Sequence, residues 1–191
     1  MLYIIRHGQT ALNNRNALQG RSDNPMNDTG FAQAKEAAAK MRNAGIDIDR
    51  IYSSPLIRAM QTAEEFDSER QLVIDERLIE MDYGPYEGMD LEHPAPEVLA
   101  FFMDFAGTPA PDGMEQLGSV VTRLGAFLDE IKSEACEKDI LISTHAIAMK
   151  GALEYLTPNS NGSYWSKYIG NCEVYAVDIE DGEYGVPYKL F

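Results

Sequence analysis

Basic residues are scarce in this chain of 191 residues. It has 16 lysines and arginines against 31 aspartates and glutamates, which gives a formal net charge of −15. This charge argues against nucleic acid or an anionic membrane surface as a partner, because both are themselves negatively charged. A small anionic substrate stays compatible with it, since a binding pocket needs only a few local cations. Most of the excess charge is typical of a well-solvated surface.

Cysteines and long apolar runs are also scarce. Cys136 and Cys172 are far apart and lack the spacing of a metal site, so we expect two free thiols. No apolar run reaches the ~18 residues that a membrane span needs. Because the first predicted strand begins at residue 2, it leaves no room for a cleavable presequence, and we expect a cytoplasmic protein. The length and a hydrophobic content of 45% are typical of one domain, residues 1–191, with a sizeable core.

The first candidate site lies in residues 2–13. Leu2 to Ile5 favour a buried strand, and Arg6, His7 and Gly8 follow it at once. In open α/β sheets, ligands bind at the carboxyl ends of the strands. Arginine offers a planar fork for phosphate, and a neutral imidazole is a nucleophile when its other nitrogen is held as a donor. Taken alone, the triplet fits a tight turn with an incidental histidine as well as it fits a phosphate site.

Strand patterns alternate with helical patterns along the chain. Strands are predicted at 2–5, 50–53, 72–74, 139–144, 173–179 and 188–191. Helices are predicted at 27–45, from Ser54 (N-cap) and Pro55 onward, at 115–135 and at 146–156. An Asp-Gly turn at 181–182 is suited to join the last two strands as a hairpin. The alternation predicts an α/β fold, a three-layer α/β/α sandwich with a mostly parallel central sheet.

Residues 79–113 interrupt this alternation and are rich in proline. We interpret them as a cap segment inserted into the α/β core, with one helix at 95–106. Between Glu80 and Glu115 there are seven acidic residues and no lysine or arginine. Six aromatic side chains are expected to pack in the core rather than line a pocket: Tyr83, Tyr86, Phe101, Phe102, Tyr164 and Trp165.

Three loops at the carboxyl ends of predicted strands carry similar side chains. Arg6 and His7 follow the first strand, Arg58 lies near the start of the helix after the second, and His145 follows the strand at 139–144. The carboxyl ends of parallel strands meet at one edge of a sheet, and helix N-termini favour anions. Two histidines and two arginines in equivalent positions indicate a phosphate site.

With these residues in place, the chain resembles the histidine phosphatase superfamily, in its phosphoglycerate mutase-like branch. The resemblance covers most of the chain. R-H-G alone is weakly specific, but several segments in the family's order are highly specific. They are R-H-G-Q-T-x-x-N at 6–13, Q-G-R-S-D-N-P at 19–25, G-F-A-Q-A-K at 30–35, S-S-P-L-x-R-A-x-x-T-A at 53–63, L-I-E-M-D-Y-G-P-Y-E-G at 78–88, P-D-G-M-E at 111–115 and S-T-H at 143–145.

The resemblance implies a role for each matching residue. His7 would be the nucleophile that becomes phosphohistidine, and Glu80 would be the general acid. Arg6, Arg58 and His145 would hold the phosphoryl oxygens, helped by Asn13, and Gln19 and Gly20 would face the phosphate from a loop. Phosphoryl transfer depends mostly on positioning and charge stabilisation, so cationic donors can act without a metal. The resemblance accordingly implies no metal ion and no other cofactor.

One position departs from the family pattern. The second histidine is usually followed by glycine, and here it is followed by Ala146. The extra methyl group could crowd the phosphate or shift a helix N-terminus. A backbone N–H remains at this position, so we expect an altered site and not an inactive one.

The cap composition favours one reaction over its relatives. A mutase or a bisphosphatase must hold a second anionic group, and the cap supplies no cation for it. We therefore expect a metal-independent phosphomonoesterase acting on a small phosphorylated metabolite, with a preference for neutral or amine-bearing leaving groups. The alternatives are a phosphoglycerate mutase-type phosphotransferase and a non-catalytic phosphate-ligand binding protein. The physiological substrate and the oligomeric state stay open.

Overall fold

The central strands bury both of their faces. In the computed structural model, which describes residues 1–67 and 72–191, strand β1 comprises Leu2–Arg6. Leu2 and Ile4 belong to one hydrophobic cluster, whereas Tyr3 and Ile5 belong to a second cluster. Successive side chains of a strand point to opposite faces, so the two clusters lie on opposite sides of the sheet. A strand covered on both faces reads as a continuous apolar run, as residues 2–5 do.

Six strands form the main sheet. Their spatial order is β3 (Val73–Ile74), β2 (Arg50–Ser53), β4 (Ile140–Thr144), β1, β5 (Val174–Val177) and β8 (Tyr188–Lys189). Strands β1, β2, β3 and β4 are parallel to one another, whereas β5 is antiparallel to β1 and β8 is antiparallel to β5. The predicted mostly parallel sheet is confirmed, and β3 lies at its edge.

Helices cover both faces of this sheet. They are α1 (Ala11–Asn14), α2 (Asp28–Asn43), α3 (Ile57–Glu64), α4 (Pro96–Met103), α5 (Leu117–Ala135) and α6 (Ala146–Leu156). Apolar residues of α5 and α6 pack in the first cluster, and those of α2 and α3 pack in the second. The result is the predicted three-layer α/β/α arrangement. Two 3-10 turns, at residues 76–78 and 84–86, lie between β3 and α4.

Helix α2 follows its sequence signals, whereas α3 does not. The Oδ1 atom of Asn27 accepts a hydrogen bond from the N–H of Gly30, and Gly45 has a φ of +74° just beyond the helix end. In contrast, α3 begins at Ile57 with Leu56 at the N-cap, so the assignment of Ser54 as N-cap was wrong. The Ser54 hydroxyl instead makes a contact with a distant histidine, which is described below.

The C-terminal strands also differ from the prediction. The strand predicted at 173–179 ends at Val177, and Ile179–Glu180 (β6) pairs with Glu183–Tyr184 (β7) in a separate two-stranded sheet. Asp181 and Gly182 have φ values of 51° and 79°, which fits a type I′ hairpin turn. The Asp-Gly hairpin thus exists, but it joins β6 to β7, and β8 returns to pair with β5.

The segment from 79 to 113 packs on the first cluster. Helix α4 is shorter than the predicted 95–106 stretch, and its Val98 and Phe101 side chains are fully buried. The assignment of this segment to a cap on a single domain stays a prediction. Both cysteines are free thiols, as expected. Within the described ranges, no helix has the length and apolar character required to cross a bilayer.

Candidate active site

The predicted site residues meet at the carboxyl edge of the parallel strands. The pairing of β1 with β4 sets Arg6 opposite Thr144, and that of β2 with β4 sets Ser53 opposite Ser143. The next residues along these three strands are therefore neighbours in space. The rings of His7 and His145 have their centroids 5.1 Å apart.

The backbone next to His7 fixes the tautomer of its ring. The Nδ1 atom lies 2.7 Å from the carbonyl oxygen of Gly8. A carbonyl only accepts hydrogen bonds, so Nδ1 carries the proton and Nε2 keeps its lone pair. Burial, with the charges of Arg58 and Arg6, lowers the pKa of His7 well below its ordinary value. A neutral imidazole with a free Nε2 is the state that a nucleophile requires.

Gly8 is held by close packing. Its N–H donates to the Thr62 hydroxyl at 3.0 Å. A Cβ atom at this position would lie 2.5 Å from both the Gly30 carbonyl oxygen and the Met26 sulfur. Only glycine fits between these neighbours, so the carbonyl that orients His7 is itself fixed in place.

His145 is oriented by Ser54, not by its own backbone. Its Nε2 lies 2.7 Å from the Ser54 hydroxyl oxygen, which also accepts a hydrogen bond from the N–H of Leu56 at 3.3 Å. With the N–H of Leu56 donating to this oxygen, the hydroxyl proton is available to Nε2, and the remaining ring proton then resides on Nδ1. Burial, followed by the charges of Arg58 and His7, lowers the pKa of His145 well below its ordinary value. Nδ1–H of the neutral ring can donate to an anion.

The two arginines are bonded to backbone carbonyl groups. Arg58 is fully buried and donates from Nη1 to Ser22 at 2.8 Å and from Nη2 to Gly20 at 2.6 Å. Burial lowers its pKa to about 10, so the side chain stays charged at neutral pH. Arg6 donates to the Ile169 carbonyl oxygen at 2.6 Å. No carboxylate of residues 1–67 or 72–191 pairs with either guanidinium within 4.0 Å.

Unpartnered donors are concentrated at this site. In the described part of the chain, five buried side-chain nitrogen or oxygen atoms lack a hydrogen-bond partner. Four of them are Arg6 Nε, Gln19 Nε2, Arg58 Nε and His145 Nδ1. Buried polar groups are usually satisfied, so a cluster of unsatisfied donors needs an explanation. Four nitrogen donors beside a nucleophilic imidazole suit a tetrahedral oxyanion.

Asn13 and Gln19 present their amide groups to the same space, whereas Gly20 is placed differently. Thr10 donates to Gln19 Oε1 at 2.6 Å and to Asn13 Oδ1 from its backbone N–H at 3.1 Å. These bonds occupy both carbonyl oxygens and leave the two NH₂ groups for a ligand. Gly20 does not line the cavity near His7. Its N–H donates to the Glu87 carboxylate at 3.1 Å, and its carbonyl oxygen accepts a hydrogen bond from Arg58. It thus contributes to the position of Arg58.

Glu80 is held by three backbone N–H groups. Its Oε1 accepts from Met81 at 2.8 Å and from Ala148 at 2.9 Å, and its Oε2 accepts from Ile147 at 3.2 Å. Two of these donors belong to the first turn of α6, where free N–H groups and the helix dipole favour a carboxylate. Ala146, the first residue of α6, lines the cavity beside Glu80.

A cavity of about 300 Å³ connects these groups and is called the His7 cavity here. Its polar lining consists of Arg6, His7, Asn13, Gln19, Glu80, Lys150 and Tyr168. Arg58 and His145 lie behind this lining, with no exposed surface. Lys150 was missed by the sequence reasoning, although a lone lysine in the apolar run five residues after His145 was an available signal. Asn171, which donates to the carbonyl oxygen of His7 at 2.9 Å, had no such signal.

The cap contributes aromatic rings to this cavity and none of its seven acids. Tyr83, Leu91, Phe102 and Phe105 line the cavity, whereas the seven acidic residues between Glu80 and Glu115 do not. The expected preference for neutral or amine-bearing leaving groups assumed that the substrate lies close to these acids, and the lining of the His7 cavity does not support that assumption. The sequence could not show that Glu87, for example, turns toward the N–H groups of Gly20 and Arg21. Phe101 and Tyr164 pack in the core as expected. Tyr83 and Phe102 also pack there, but they line the cavity as well.

A possible metal-binding group lies outside the His7 cavity. Among the described residues, the only group of three close enough to hold an ion is Asp90, Glu92 and His93. All three are exposed, and none lines the His7 cavity. The donors in that cavity are arginine, lysine and amide nitrogens, which suit an anion.

A model of the histidine phosphatase superfamily, branch 1, matches residues 2–187. The chain belongs to this superfamily. A phosphoserine phosphatase 1 of Hydrogenobacter thermophilus is 27% identical over 185 residues, which cover 94% of this chain and 87% of the relative. A probable phosphoglycerate mutase of Yersinia pestis is 30% identical over 187 residues, which cover 94% and 85%.

The fold has matches among solved structures. A mutant phosphoserine phosphatase from Entamoeba histolytica, in complex with phosphoserine, superposes with a TM-score of 0.83 at 24% identity, covering 100% of this chain and 94% of that one. At this identity the likeness shows the fold alone. The superfamily assignment and its phosphatase-named members confirm the expected enzyme class, a phosphoric monoester hydrolase. The roles of individual residues stay predictions.

Proposed function

We propose that this enzyme hydrolyses a small phosphomonoester by two successive displacements at His7. The observation that carries the proposal is the group of four unpartnered buried donors around a neutral imidazole whose Nε2 is free. A phosphoryl group bound to these donors would have its phosphorus next to Nε2. Catalysis of this kind depends on positioning and on stabilising charge on the phosphoryl oxygens.

In the first displacement, Nε2 of His7 forms a bond to phosphorus as the bond from phosphorus to the ester oxygen breaks. Glu80 gives its proton to the departing alkoxide, so a neutral alcohol leaves. Arg6 and Arg58 balance the negative charge on the phosphoryl oxygens, while Asn13, Gln19 and His145 donate hydrogen bonds to them. The product of this step is phosphohistidine at position 7.

In the second displacement, water attacks the phosphohistidine. Glu80, now ionised, accepts a proton from this water, and the bond between phosphorus and Nε2 breaks. Inorganic phosphate leaves, and His7 and Glu80 return to their initial protonation states. One carboxyl group can serve both steps because its three N–H donors keep it at the same place throughout.

The substrate is proposed to be a small phosphorylated metabolite, which suits a cavity of about 300 Å³. The name of the Hydrogenobacter relative makes O-phosphoserine a reasonable first candidate. The mutase-named relative makes phosphoryl transfer to an acceptor the second candidate function.

The test measures turnover and the covalent intermediate together. Purified enzyme is incubated with excess chelator and with p-nitrophenyl phosphate or O-phosphoserine, and inorganic phosphate and acid-labile protein-bound phosphate are measured. We expect release of phosphate and a label on His7, with the label lost in His7→Gln and retained in His93→Gln, which changes an exposed histidine. Transfer to added 3-phosphoglycerate without net release would support the mutase. Binding of O-phosphoserine without label or turnover would support a binding protein.

A further inference from the structure

Lys150 is a buried cation in an apolar helix. It is the only charged residue between 146 and 153, and the surrounding α6 residues are buried. Only 9% of Lys150 is exposed, and its side chain is among those that line the His7 cavity. Lysine is almost never buried to this extent unless its charge is compensated.

The compensation for this charge is incomplete. The Nζ atom donates to the Trp165 carbonyl oxygen at 2.8 Å and lies 5.2 Å from the centroid of the Phe105 ring. An ammonium group has three N–H donors, so two remain for another partner. In the ranges 1–67 and 72–191, no carboxylate lies within 4.0 Å of it.

Glu80 and Arg6 affect the pKa of this ammonium, and Asp104 and Lys167 line a second cavity with it. Burial lowers its pKa to about 8, while the negative charge of Glu80 raises it and the positive charge of Arg6 lowers it. Asp104 lines a second cavity together with Lys150, but its carboxylate accepts a hydrogen bond from the N–H of Gly107. The lysine is thus largely charged at neutral pH and has no close carboxylate to pair with.

Lys150 stands between the phosphate site and further open space. A second cavity of about 420 Å³, the Trp165 cavity, shares four lining residues with the His7 cavity: Phe102, Phe105, Lys150 and Tyr168. Lys150 lies five positions after His145, the N-cap residue of α6, which corresponds to a rise of about 7.5 Å. This is the length scale of a short phosphate ester whose phosphate lies at the helix N-terminus.

We propose that Lys150 is a specificity-determining residue that binds a carboxylate group on the leaving-group part of the substrate. The inference rests on the proposed function, since it concerns the same cavity. A phosphate ester of a hydroxy acid or a hydroxy amino acid would satisfy the N–H donors of Lys150, whereas an ester without an anionic group would leave them unpaired.

A carboxylate fits this position better than a second phosphate. Of the described residues that line the His7 cavity, only Arg6 and Lys150 are cations, and Arg6 belongs to the phosphate end. A phosphate monoester carries a charge of about −1.5 to −2 at pH 7. One lysine cannot balance that charge, but it does balance the single charge of a carboxylate.

The test uses substrates that differ only in the carboxylate. O-phosphoserine is compared with O-phosphoethanolamine, and 3-phosphoglycerate with glycerol 3-phosphate. For each pair, the ratio of kcat/KM values is measured in the wild type, Lys150→Gln, Lys150→Arg and the control Lys35→Gln, which removes an exposed charge from α2. A third comparison sets glycerate 2,3-bisphosphate against 3-phosphoglycerate.

We expect the wild type to favour the carboxylated member of each pair by about ten- to a hundredfold, the range of a hydrogen-bonded charge. Lys150→Gln should lower that ratio at least about tenfold, mainly through KM, and Lys150→Arg should restore part of it. Lys35→Gln should keep the wild-type ratio. In the wild type the preference should weaken above pH 8 as Lys150 loses its proton.

An unchanged ratio in Lys150→Gln, in an enzyme that still hydrolyses p-nitrophenyl phosphate, would overturn the role of Lys150 and leave the proposed function intact. A higher kcat/KM for glycerate 2,3-bisphosphate than for 3-phosphoglycerate would overturn the carboxylate assignment. Absence of all turnover would be a failure of the proposed function itself. In that event, calorimetry of O-phosphoserine and O-phosphoethanolamine binding to His7→Ala, with and without Lys150→Gln, decides the inference: equal affinities would overturn it, and a carboxylate preference that disappears with Lys150 would support it.

Discussion

The two ends of the His7 cavity are built from different kinds of structure. At the phosphate end, Arg6 is the last residue of β1, His7 and His145 follow β1 and β4, and Arg58 lies in the first turn of α3 after β2. None of these side chains is more than intermediate in exposure. At the leaving-group end, Tyr83, Phe102 and Phe105 come from the segment at 79–113, and Tyr168 is 83% exposed. Hydrogen bonds of the sheet fix the first end, whereas loop packing determines the second.

This difference suggests a division of roles: the phosphate end carries out the reaction, and the leaving-group end selects the substrate. The phosphate end contacts the group that every phosphomonoester has in common, so changes there should affect all substrates equally. The leaving-group end contacts the part that differs between substrates, so changes there should affect some substrates more than others. Loops placed on a rigid scaffold commonly take this second role. The predictions below test this separation, from the largest expected effect to the smallest.

The largest effect is expected from His7→Ala. No phosphohistidine can form without the imidazole, so kcat should fall by at least about a thousandfold on every substrate. Steady-state kinetics on p-nitrophenyl phosphate and on O-phosphoserine would measure the loss. Retention of more than about one per cent of kcat on either ester would remove His7 from the role of nucleophile.

Arg58→Gln should reduce kcat/KM by about a hundred- to a thousandfold, the range seen when one stabilising donor is removed. Because Arg58 lies at the phosphate end, the loss should be the same for nitrophenyl and alkyl esters. Arg50→Gln is the matched control, since Arg50 begins the strand that leads to Arg58 and pairs with Glu134. That control should change kcat/KM little. A loss in Arg58→Gln that depends on the leaving group would contradict the separation of the two ends.

Glu80→Gln should lower kcat by different factors for different substrates, because Glu80 lies where the two ends meet. With an alkyl ester the alkoxide needs a proton, and kcat should fall about a hundredfold or more. Nitrophenolate leaves without a proton, so the loss on p-nitrophenyl phosphate should be clearly smaller. Parallel measurements of kcat on O-phosphoserine and p-nitrophenyl phosphate provide the internal comparison. Equal losses would mean that Glu80 does not protonate the leaving group.

The smallest expected effect concerns stability and is confined to the phosphate end. The pKa values of His7 and His145 are lowered in the folded state, so the unfolded chain binds protons first as the pH falls. The free energy of unfolding should therefore decrease below about pH 6.5, by up to ~1.4 kcal/mol per pH unit for each histidine. Urea unfolding at pH 7.5, 6.5 and 5.5 measures the slope.

The slope should be shallower in His7→Gln and shallower still in the double variant with His145→Gln. Carboxyl groups with lowered pKa values, such as those of Asp75 and Glu134, act in the same direction but at lower pH. The window above pH 5 thus isolates the two histidines. An identical slope in wild type and double variant would show that neither histidine is buried in its neutral form.

Much of the phosphate end could be predicted from the sequence. Three short strands were predicted from the sequence. The first is followed by Arg6 and His7, the second by the helix that carries Arg58, and the third by His145. This pattern was enough to place these side chains together. The physical reason is that parallel strands end at one edge of a sheet, so a position in the sequence after a strand is also a position in space. The sandwich architecture followed from the same alternation of strands and helices.

Tertiary structure alone decided which distant groups hold these side chains and how the leaving-group end is arranged. Ser54 has the sequence signal of an N-cap but holds His145, which is 91 residues away. Glu87 turns from the cap to the N–H of Gly20, 67 residues away, and Lys150 reaches the Trp165 carbonyl. Local spacing carries no information about such partners, because the direction of a side chain in a loop depends on contacts between distant segments. The charge of the cap could be counted from the sequence, but only the folded chain shows that those carboxylates do not line the His7 cavity and that a lysine from α6 does.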